Sequence, residues 1–205
     1  MKKEHLEVLT QAEQAAYYEV PDFNETQHYE FLTLDQSELD LVMSRSSWSA
    51  RVHCCLQIAY FKAVNLFFKV TWSEVSNKTI KFILEQYFYD QSIKLSKITD
   101  YEYYTQCAAI ARLCGFQMWE SQFSDSLLNK ANELAKLNIN QQFIALELLT
   151  YLKQQKIIRP QYTTLQSLII IAINSEKSRI NKLLMEQITP EESRLILALI
   201  SNEST

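Results

Sequence analysis

The chain has 205 residues, of which 47% are hydrophobic and 21% are charged, so it can bury a core and does not have the composition of a disordered segment. One glycine and three prolines are too few for the many tight turns of a β-sandwich or β-barrel, which favours helices joined by short polar links. The formal net charge of −4 excludes a molecule that binds nucleic acid through its overall charge.

The first half of the chain predicts three short helices followed by a long one. TQAEQAAYYEV predicts a helix capped by Thr10, and Asn24 is the expected cap of a second helix that ends near Phe31. A third helix starts after Thr33 or Asp35, both of which are suitable caps. SWSARVHCCLQIAYFKAVNLFF then predicts a long core helix, because its apolar residues recur every three to four positions.

The second half predicts further helices. TWSEVSNKTIKFILEQYFY is expected to form one capped by Ser73, YDQSIKLSKI a short helical turn, and Thr99 is expected to cap the next helix, with Gly115 just after its end. TPEESRLILALIS predicts a last helix capped by Thr189. The remaining helices are expected over residues 121–138, 140–156 and 163–187.

The predicted fold class is therefore all-α. Weak boundaries suggest three helical units at residues 1–70, 71–120 and 121–205, packed into one or two small subdomains. The sequence start MKKEHLEVLT has no apolar core typical of a secretory signal, and no apolar stretch reaches the length of a membrane span. Cysteines without a CxxC spacing predict free thiols in a reducing, cytoplasmic setting.

Charge is distributed unevenly. Residues 1–50 hold three basic and ten acidic residues, whereas residues 153–182 hold six basic residues and one acidic residue, Glu176. Within the basic stretch, IIRPQYTTLQ combines an Arg–Pro turn with a helix start whose cap is expected at Tyr162 or Thr163. Hydroxyl and N–H groups at a helix start can hold a phosphate, or Thr163 simply caps its helix; both alternatives stay open.

The sequence offers no motif of known catalytic chemistry: no nucleophile elbow, phosphate-binding glycine loop or zinc-protease pair is present. His53 and Cys54 are adjacent, which separates them by about 100° around a helix and does not suit a nucleophile–base pair. The tyrosine-rich segments EQYFYDQ and DYEYYTQ are more typical of half-buried helix crossings than of base stacking. No catalytic residue, metal ligand or cofactor is predicted.

Three stretches, in order, resemble the N-terminal region of the transposases of Tn-three-type transposons. They are LTQAEQAAYYEVPDFNETQHYEFLTLDQSELDLVMSR, SARVHCCLQIAYFKAVNLFF and LLTYLKQQKIIRPQYTTLQSLI, and the resemblance spans roughly residues 8 to 187. The chain departs from the family pattern where His53 replaces a glycine and where KAVNLF lacks the proline and glycine of the family's turn.

The resemblance implies a noncatalytic, helical region with helix-turn-helix-like units in tandem, which binds duplex DNA at the terminal inverted repeats. Catalysis in that family belongs to a separate C-terminal nuclease domain, which this chain is too short to include, so no enzyme is expected. The implied partners are double-stranded DNA and either a second copy of the chain or a full-length transposase. The implied location is the bacterial cytoplasm, at the nucleoid.

The predicted DNA-contacting residues lie at two basic helix starts and along the last long helix. They are Arg45, Ser47, Arg51, Lys156, Arg159, Thr163, Thr164, Lys177, Arg179 and Lys182. Replacing Lys156 and Arg159 together by Ala is expected to weaken DNA binding without lowering the melting temperature. The alternative is a helical protein–protein interaction module that has lost DNA binding, which the acidic first third of the chain and the missing glycine favour.

Overall fold

The computed structural model describes residues 8–89, 93–187, 189, 191, 192 and 194. Within these residues the secondary structure is helical apart from one isolated β-bridge, so the predicted all-α fold class is confirmed. A π-helical turn spans Leu84–Phe88, and a 3-10 turn spans Ser121–Phe123. The helices are α1 Gln11–Tyr18, α2 Glu25–Phe31, α3 Gln36–Met43, α4 Trp48–Val64, α5 Asn77–Ile83, α6 Asp100–Leu113, α7 Ser124–Leu137, α8 Gln141–Gln154 and α9 Tyr162–Gln187.

Reciprocal capping explains why several helices begin where the sequence predicts. Asn24 caps α2 and Asp35 caps α3, each accepting a bond from the backbone N–H of the third helical residue, whose side chain accepts one in return. Thr99 and Glu102 form the same box at the start of α6. Thr189 exchanges the same pair of bonds with Glu192, while most of the last predicted helix lies outside the described residues.

The predicted start of α5 is wrong by three residues. Ser76, and not Ser73, caps the helix by accepting a bond from the N–H of Lys78 (3.3 Å). The preceding residues form a turn because the carboxylate of Glu74 accepts bonds from the N–H and the hydroxyl of Thr71 (2.6 and 2.9 Å).

The helical turn predicted over YDQSIKLSKI is also absent from its described part, residues 89 and 93–98. The backbone N–H of Ser96 donates to the hydroxyl of Ser49 on α4 (2.8 Å), and its carbonyl accepts from Trp72 Nε1 (2.7 Å). These bonds to distant residues take the place of local helical hydrogen bonds.

The chain divides into two compact units. The first unit consists of residues 1–10, 121–149 and 161–205, and the second of residues 11–120 and 150–160. The predicted boundary at 120/121 falls where the chain passes from one unit to the other, whereas the predicted boundary at 70/71 lies inside the second unit.

In the first unit, α7 packs along α9. Their facing sides bury Leu127 and Ala131 on α7 and Leu165 and Ile169 on α9, all with at most 1% of their surface exposed. The N–H of Leu9 donates to the hydroxyl of Tyr162 at the start of α9 (3.3 Å), which fixes the described N-terminal residues to this unit.

In the second unit, α4 is the central helix, and α2, α3, α5 and α6 all contact it. Every residue from Val52 to Phe61 is buried, including the polar side chains of His53 and Gln57. Because water cannot satisfy those polar groups, each needs a partner inside the protein. A helix buried on all sides over this length acts as a scaffold, and its buried residues can meet a ligand only where a cavity reaches them.

Two helices whose last residues lie in the second unit, α6 and α8, end in the same motif. After α6, Gly115 adopts a left-handed conformation (φ 72°), and the N–H of Phe116 returns to the carbonyl of Ala111 (2.7 Å). After α8, Lys156 has the left-handed conformation (φ 53°), and the N–H of Ile157 returns to the carbonyl of Leu152 (2.9 Å). The sequence predicted the glycine cap and missed the second one, because lysine is an uncommon residue there.

The segments that directly follow these two caps form hydrogen bonds with each other. The N–H of Gln117 donates to the carbonyl of Lys156 (2.8 Å), and the N–H of Ile158 donates to the carbonyl of Gln117 (2.9 Å). This short parallel bridge holds residues 157–160 to the second unit.

Candidate nucleic-acid interface

Helix α9 changes character at Asn174. In its first twelve residues, buried positions recur every three to four residues, and these buried side chains pack in the first unit. From Asn174 to Gln187 every residue is exposed except Glu176, over a length of about 21 Å. We call residues 174–187 the outer half of α9.

The three predicted cations of the outer half differ in their partners. Arg179 donates from Nε and Nη2 to the two oxygens of the buried Glu176 carboxylate (2.8 and 2.5 Å), and this bond lowers the pKa of that carboxyl. Lys182 Nζ lies 3.9 Å from Glu186 Oε1 in an exposed pair of little energetic weight. Within the described residues Lys177 forms no ion pair, so Lys177 and Lys182 are the cations most available to a ligand.

Helix α9 begins at Tyr162, so its cap position is Gln161, whereas the sequence predicts the cap at Tyr162 or Thr163. Tyr162 is already helical, and its side chain is buried. The N–H groups of Thr164 and Leu165 both donate to the carbonyl of Gln161 (3.0 and 3.2 Å). Thr163 is therefore the second helical residue. Its carbonyl accepts from Ser167 Oγ (2.8 Å), and its side chain is exposed.

Arg159 is committed to a contact inside the second unit. Its guanidinium carbon lies 3.6 Å from the centre of the Tyr17 ring, and Nη2 donates to the Tyr17 carbonyl (2.5 Å). The Tyr17 hydroxyl in turn donates to the carbonyl of Pro160 (2.5 Å). Burial lowers the pKa of Arg159 and raises the pKa of Tyr17. The arginine thus joins α1 to the turn that precedes α9.

Lys156 stands at the turn that ends α8, with an exposed side chain. Its Nζ lies 3.6 Å from the point where a Cβ on Gly115 would stand. Lys156 and Arg159 belong to the second unit, whereas Thr163, Thr164, Lys177, Arg179 and Lys182 belong to the first. The structure thus assigns the predicted basic stretch to two separate units.

The remaining predicted residues gather at the four-residue link between α3 and α4, which has the length of a helix-turn-helix connection. Ser47 caps α4 by accepting from the N–H of Ala50 (3.1 Å). Arg45 donates to the carbonyl of Leu41 (3.2 Å), and Arg51 donates to the carbonyl of Arg45 (3.0 Å). The guanidinium of Arg51 also lies over the half-exposed ring of Trp48 at 4.8 Å.

These contacts mean that both arginines order the α3–α4 link, while their partly exposed charges stay near the first turn of α4. The rest of α4 cannot enter a DNA groove, because it is buried from Val52 to Phe61. Only the first turn of α4 is available to a ligand at this place.

Burial disfavours the thiolate, which is the nucleophilic form of a cysteine, at the buried cysteines. Burial raises the pKa of Cys54 to about 12 and that of Cys107 to about 12, so both thiols stay protonated. In the described part of the chain, no group of three His, Cys, Asp or Glu side chains could hold a metal ion. None of the described helices is both long and apolar enough to cross a bilayer.

These features define an all-α protein with a buried scaffold helix and an exposed, partly basic helix end. The chain belongs to the family described as Domain of unknown function (DUF4158), whose model matches residues 8–172. No curated protein matches the chain. The family description names no activity, ligand or partner, and the matched range ends just before the outer half of α9.

Proposed function

We propose that the chain is a noncatalytic DNA-binding region of a Tn-three-type transposase, which recognises the transposon's terminal inverted repeats as duplex DNA. The observation that supports this best is the outer half of α9, an exposed helix anchored through its apolar first half. The choice of transposon ends as target, and the assignment of catalysis to a separate nuclease domain, rest on the family resemblance.

The outer half of α9 suits the major groove, which is wide enough to admit an α-helix. Lys177 and Lys182 would neutralise phosphates, which supplies most of the affinity at low salt. Ser178 and Asn181 are exposed beside them and would reach base edges or phosphates. The first turn of α4, with Ser47 and Arg51, would add a second backbone contact.

The test is binding of the purified chain to a labelled duplex that carries the repeat ends of its own locus, compared with a scrambled duplex at two salt concentrations. We expect tighter binding to the repeat, and a steep loss of affinity as salt increases. Lys177→Gln with Lys182→Gln should weaken binding and reduce the slope of log affinity against log salt by about 2.

The matched control is Lys81→Gln with Lys94→Gln, which removes two exposed lysines of the second unit that are not in the proposed interface. This control should bind as the unmodified chain does. Equal affinity and equal salt slope for both double variants would remove the outer half of α9 from the interface. Absence of binding to either duplex at low salt would contradict the proposed function.

A helical protein–protein interaction module is the second candidate, and a different observation favours it. Ile180, Leu183 and Leu184 are exposed by 38%, 39% and 47%. They follow Ile173 at helical spacing and so continue the apolar stripe that α9 buries in its first half. Self-association that resists salt, and that Ile180→Ser with Leu184→Ser abolishes in analytical ultracentrifugation, would support this candidate over DNA binding.

A further inference from the structure

The second unit contains a cavity of about 540 Å³, a size typical of small-molecule sites. Four parts of the chain surround it: α4, the segment that leads from α4 to α5, the residues just before α6, and α6 itself. Aromatic rings and aliphatic side chains form most of its surface, with a few charged groups. None of the residues predicted to contact DNA lines it.

Three aromatic rings meet at this cavity. The ring of His53 lies 6.1 Å from that of Trp72 at an interplanar angle of 87°, and 6.1 Å from that of Tyr103 at 70°. His53 is only 2% exposed, whereas Trp72 and Tyr103 are half-buried. The cavity therefore presents two accessible aromatic side chains beside a histidine that forms its inner wall.

Hydrogen bonds fix that histidine. Gln106 donates from Nε2 to the carbonyl of Ala50 (3.0 Å), which leaves its Oε1 to accept from His53 Nδ1 (2.7 Å). Gln57 is oriented by two bonds to the backbone of Phe68, so its Nε2 is the group facing His53 Nε2 (3.3 Å). The imidazole thus carries its proton on Nδ1 and is neutral, in agreement with a pKa lowered by burial. A neutral, fixed ring is a wall against which an aromatic ligand can pack.

Charged groups of both signs border the cavity. Lys69 and Lys97 come from separate segments, and the carboxylate of Glu74 also lines the cavity. Lys69 already forms an ion pair with Asp100, whose carboxylate lies 2.7 Å from the Lys69 Nζ. Within the described residues Lys97 forms no ion pair, so it is the cation most available to an anionic ligand.

We propose that this cavity binds a nucleotide, with the base against the rings of Trp72 and Tyr103 and the phosphate at Lys97 and Lys69. Aromatic side chains stack on any base through its π-face, and lysines bind phosphate as point charges. The nucleotide has two sources, a free mononucleotide or an unpaired nucleotide of a DNA strand, and both present the same base and phosphate chemistry. The site lies outside the interface proposed for duplex DNA and does not depend on it.

The experiment is isothermal titration of the full chain with AMP, with adenosine, and with a single-stranded oligonucleotide of ten deoxyadenosines. We expect AMP to bind more tightly than adenosine, because only AMP offers a phosphate to Lys97. Binding of both AMP and the oligonucleotide would identify a site open to free nucleotides. Binding of the oligonucleotide alone would identify an unpaired nucleotide of a strand as the ligand.

Two variants test the site. Trp72→Leu should weaken binding of AMP or the oligonucleotide about tenfold, as loss of a stacking ring does. Lys97→Gln should reduce the margin by which AMP binds more tightly than adenosine and leave adenosine binding unchanged, a selective effect that a fold defect would not give. Trp119→Leu and Lys81→Gln are the matched controls, since neither side chain lines the cavity. Circular dichroism verifies the fold of each variant.

The proposal is overturned if neither AMP nor the oligonucleotide binds, or if Trp72→Leu and Lys97→Gln bind them as tightly as the two controls do. Because Lys97→Gln changes one exposed side chain, it remains informative even if Trp72→Leu fails to fold. Duplex binding by Lys97→Gln should be unchanged, so failure here and failure of the proposed duplex interface are separate results.

Discussion

At the scale of single residues, Arg159 shows how a basic residue that the sequence assigns to a ligand can serve the protein's own structure. It lies in a basic stretch next to a helix start, which is the pattern of a phosphate site. Its guanidinium instead lies on the Tyr17 ring and bonds the Tyr17 carbonyl, 142 positions away in sequence. Such a contact contributes to stability, because it combines a cation–π interaction with a charged hydrogen bond.

Arg159→Ala is therefore expected to lower the free energy of unfolding by about 2 kcal/mol. This expectation reverses the one drawn from the sequence, that the melting temperature would not change. Urea denaturation followed by tryptophan fluorescence measures it, since Trp48, Trp72 and Trp119 all belong to the second unit.

The control for Arg159→Ala is Arg112→Ala, which removes an exposed arginine from the last turn of α6 in the same unit. It should change stability by less than about 0.5 kcal/mol. Equal unfolding midpoints for Arg159→Ala and Arg112→Ala would show that the Tyr17 contact does not stabilise the second unit.

At the scale of the elements, the ends of α6 and α8 are built alike but from different residues. Both need a left-handed residue, and glycine adopts that conformation without steric cost, whereas a lysine pays roughly 1–2 kcal/mol. Lys156 therefore places a cation at a position where the backbone prefers glycine.

Lys156→Gly should raise the free energy of unfolding by about 0.5–1 kcal/mol, because the relief of the left-handed lysine exceeds the extra chain entropy of glycine. Lys153→Gly, three residues earlier and inside α8, should lower it by about 1 kcal/mol. Urea denaturation of the two variants should thus give shifts of opposite sign. A loss of stability in both would mean that the Lys156 side chain stabilises the turn more than its conformation costs.

At the scale of the whole molecule, the second unit is assembled from two distant parts of the chain. Residues 150–160 belong to the second unit, although α7 and most of α8, which precede them in the chain, belong to the first unit. Ile158, from this returning segment, joins the hydrophobic core around α4 and is only 7% exposed. The core is therefore complete only when the later segment is in place.

Ile158→Ala should lower the free energy of unfolding of the second unit by about 2–4 kcal/mol, through lost burial and the cavity left behind. Tryptophan fluorescence during urea denaturation reports on this unit. Val64→Ala, at an exposed position of the same unit, is the control and should have a small effect. A similarly small effect of Ile158→Ala would mean that the core closes without the returning segment.

Local signals accounted for much of the fold. Asn24, Asp35 and Thr99 each bond to a backbone N–H three residues away, and Gly115 ends its helix through bonds within five residues. Such bonds depend on neighbouring residues alone, so the sequence predicts them. The Ser76 cap was missed because residues 71–74 form a turn closed by the bonds between Thr71 and Glu74. The sequence does not show that this turn forms there in place of a helix start at Ser73.

The candidate sites were less accessible to sequence reasoning. The outer half of α9 follows from its polar composition, but the pairing of Arg179 with Glu176 and the exposure of Lys177 do not. The cavity at His53 was missed entirely, since its lining comes from four separate segments. The one signal available was the clustering of tryptophan and lysine near residues 69–72, which has no periodicity to mark it.

The sequence by itself determined the all-α class, most helix limits and the buried character of α4, because apolar periodicity and capping act over a few residues. Only the tertiary structure decided that residues 150–160 complete the second unit, that Arg159 packs on Tyr17, and that His53, Trp72 and Tyr103 share a cavity. Each of these depends on contacts between residues far apart in the chain. Such contacts form when the whole core packs, so the local sequence pattern does not predict them.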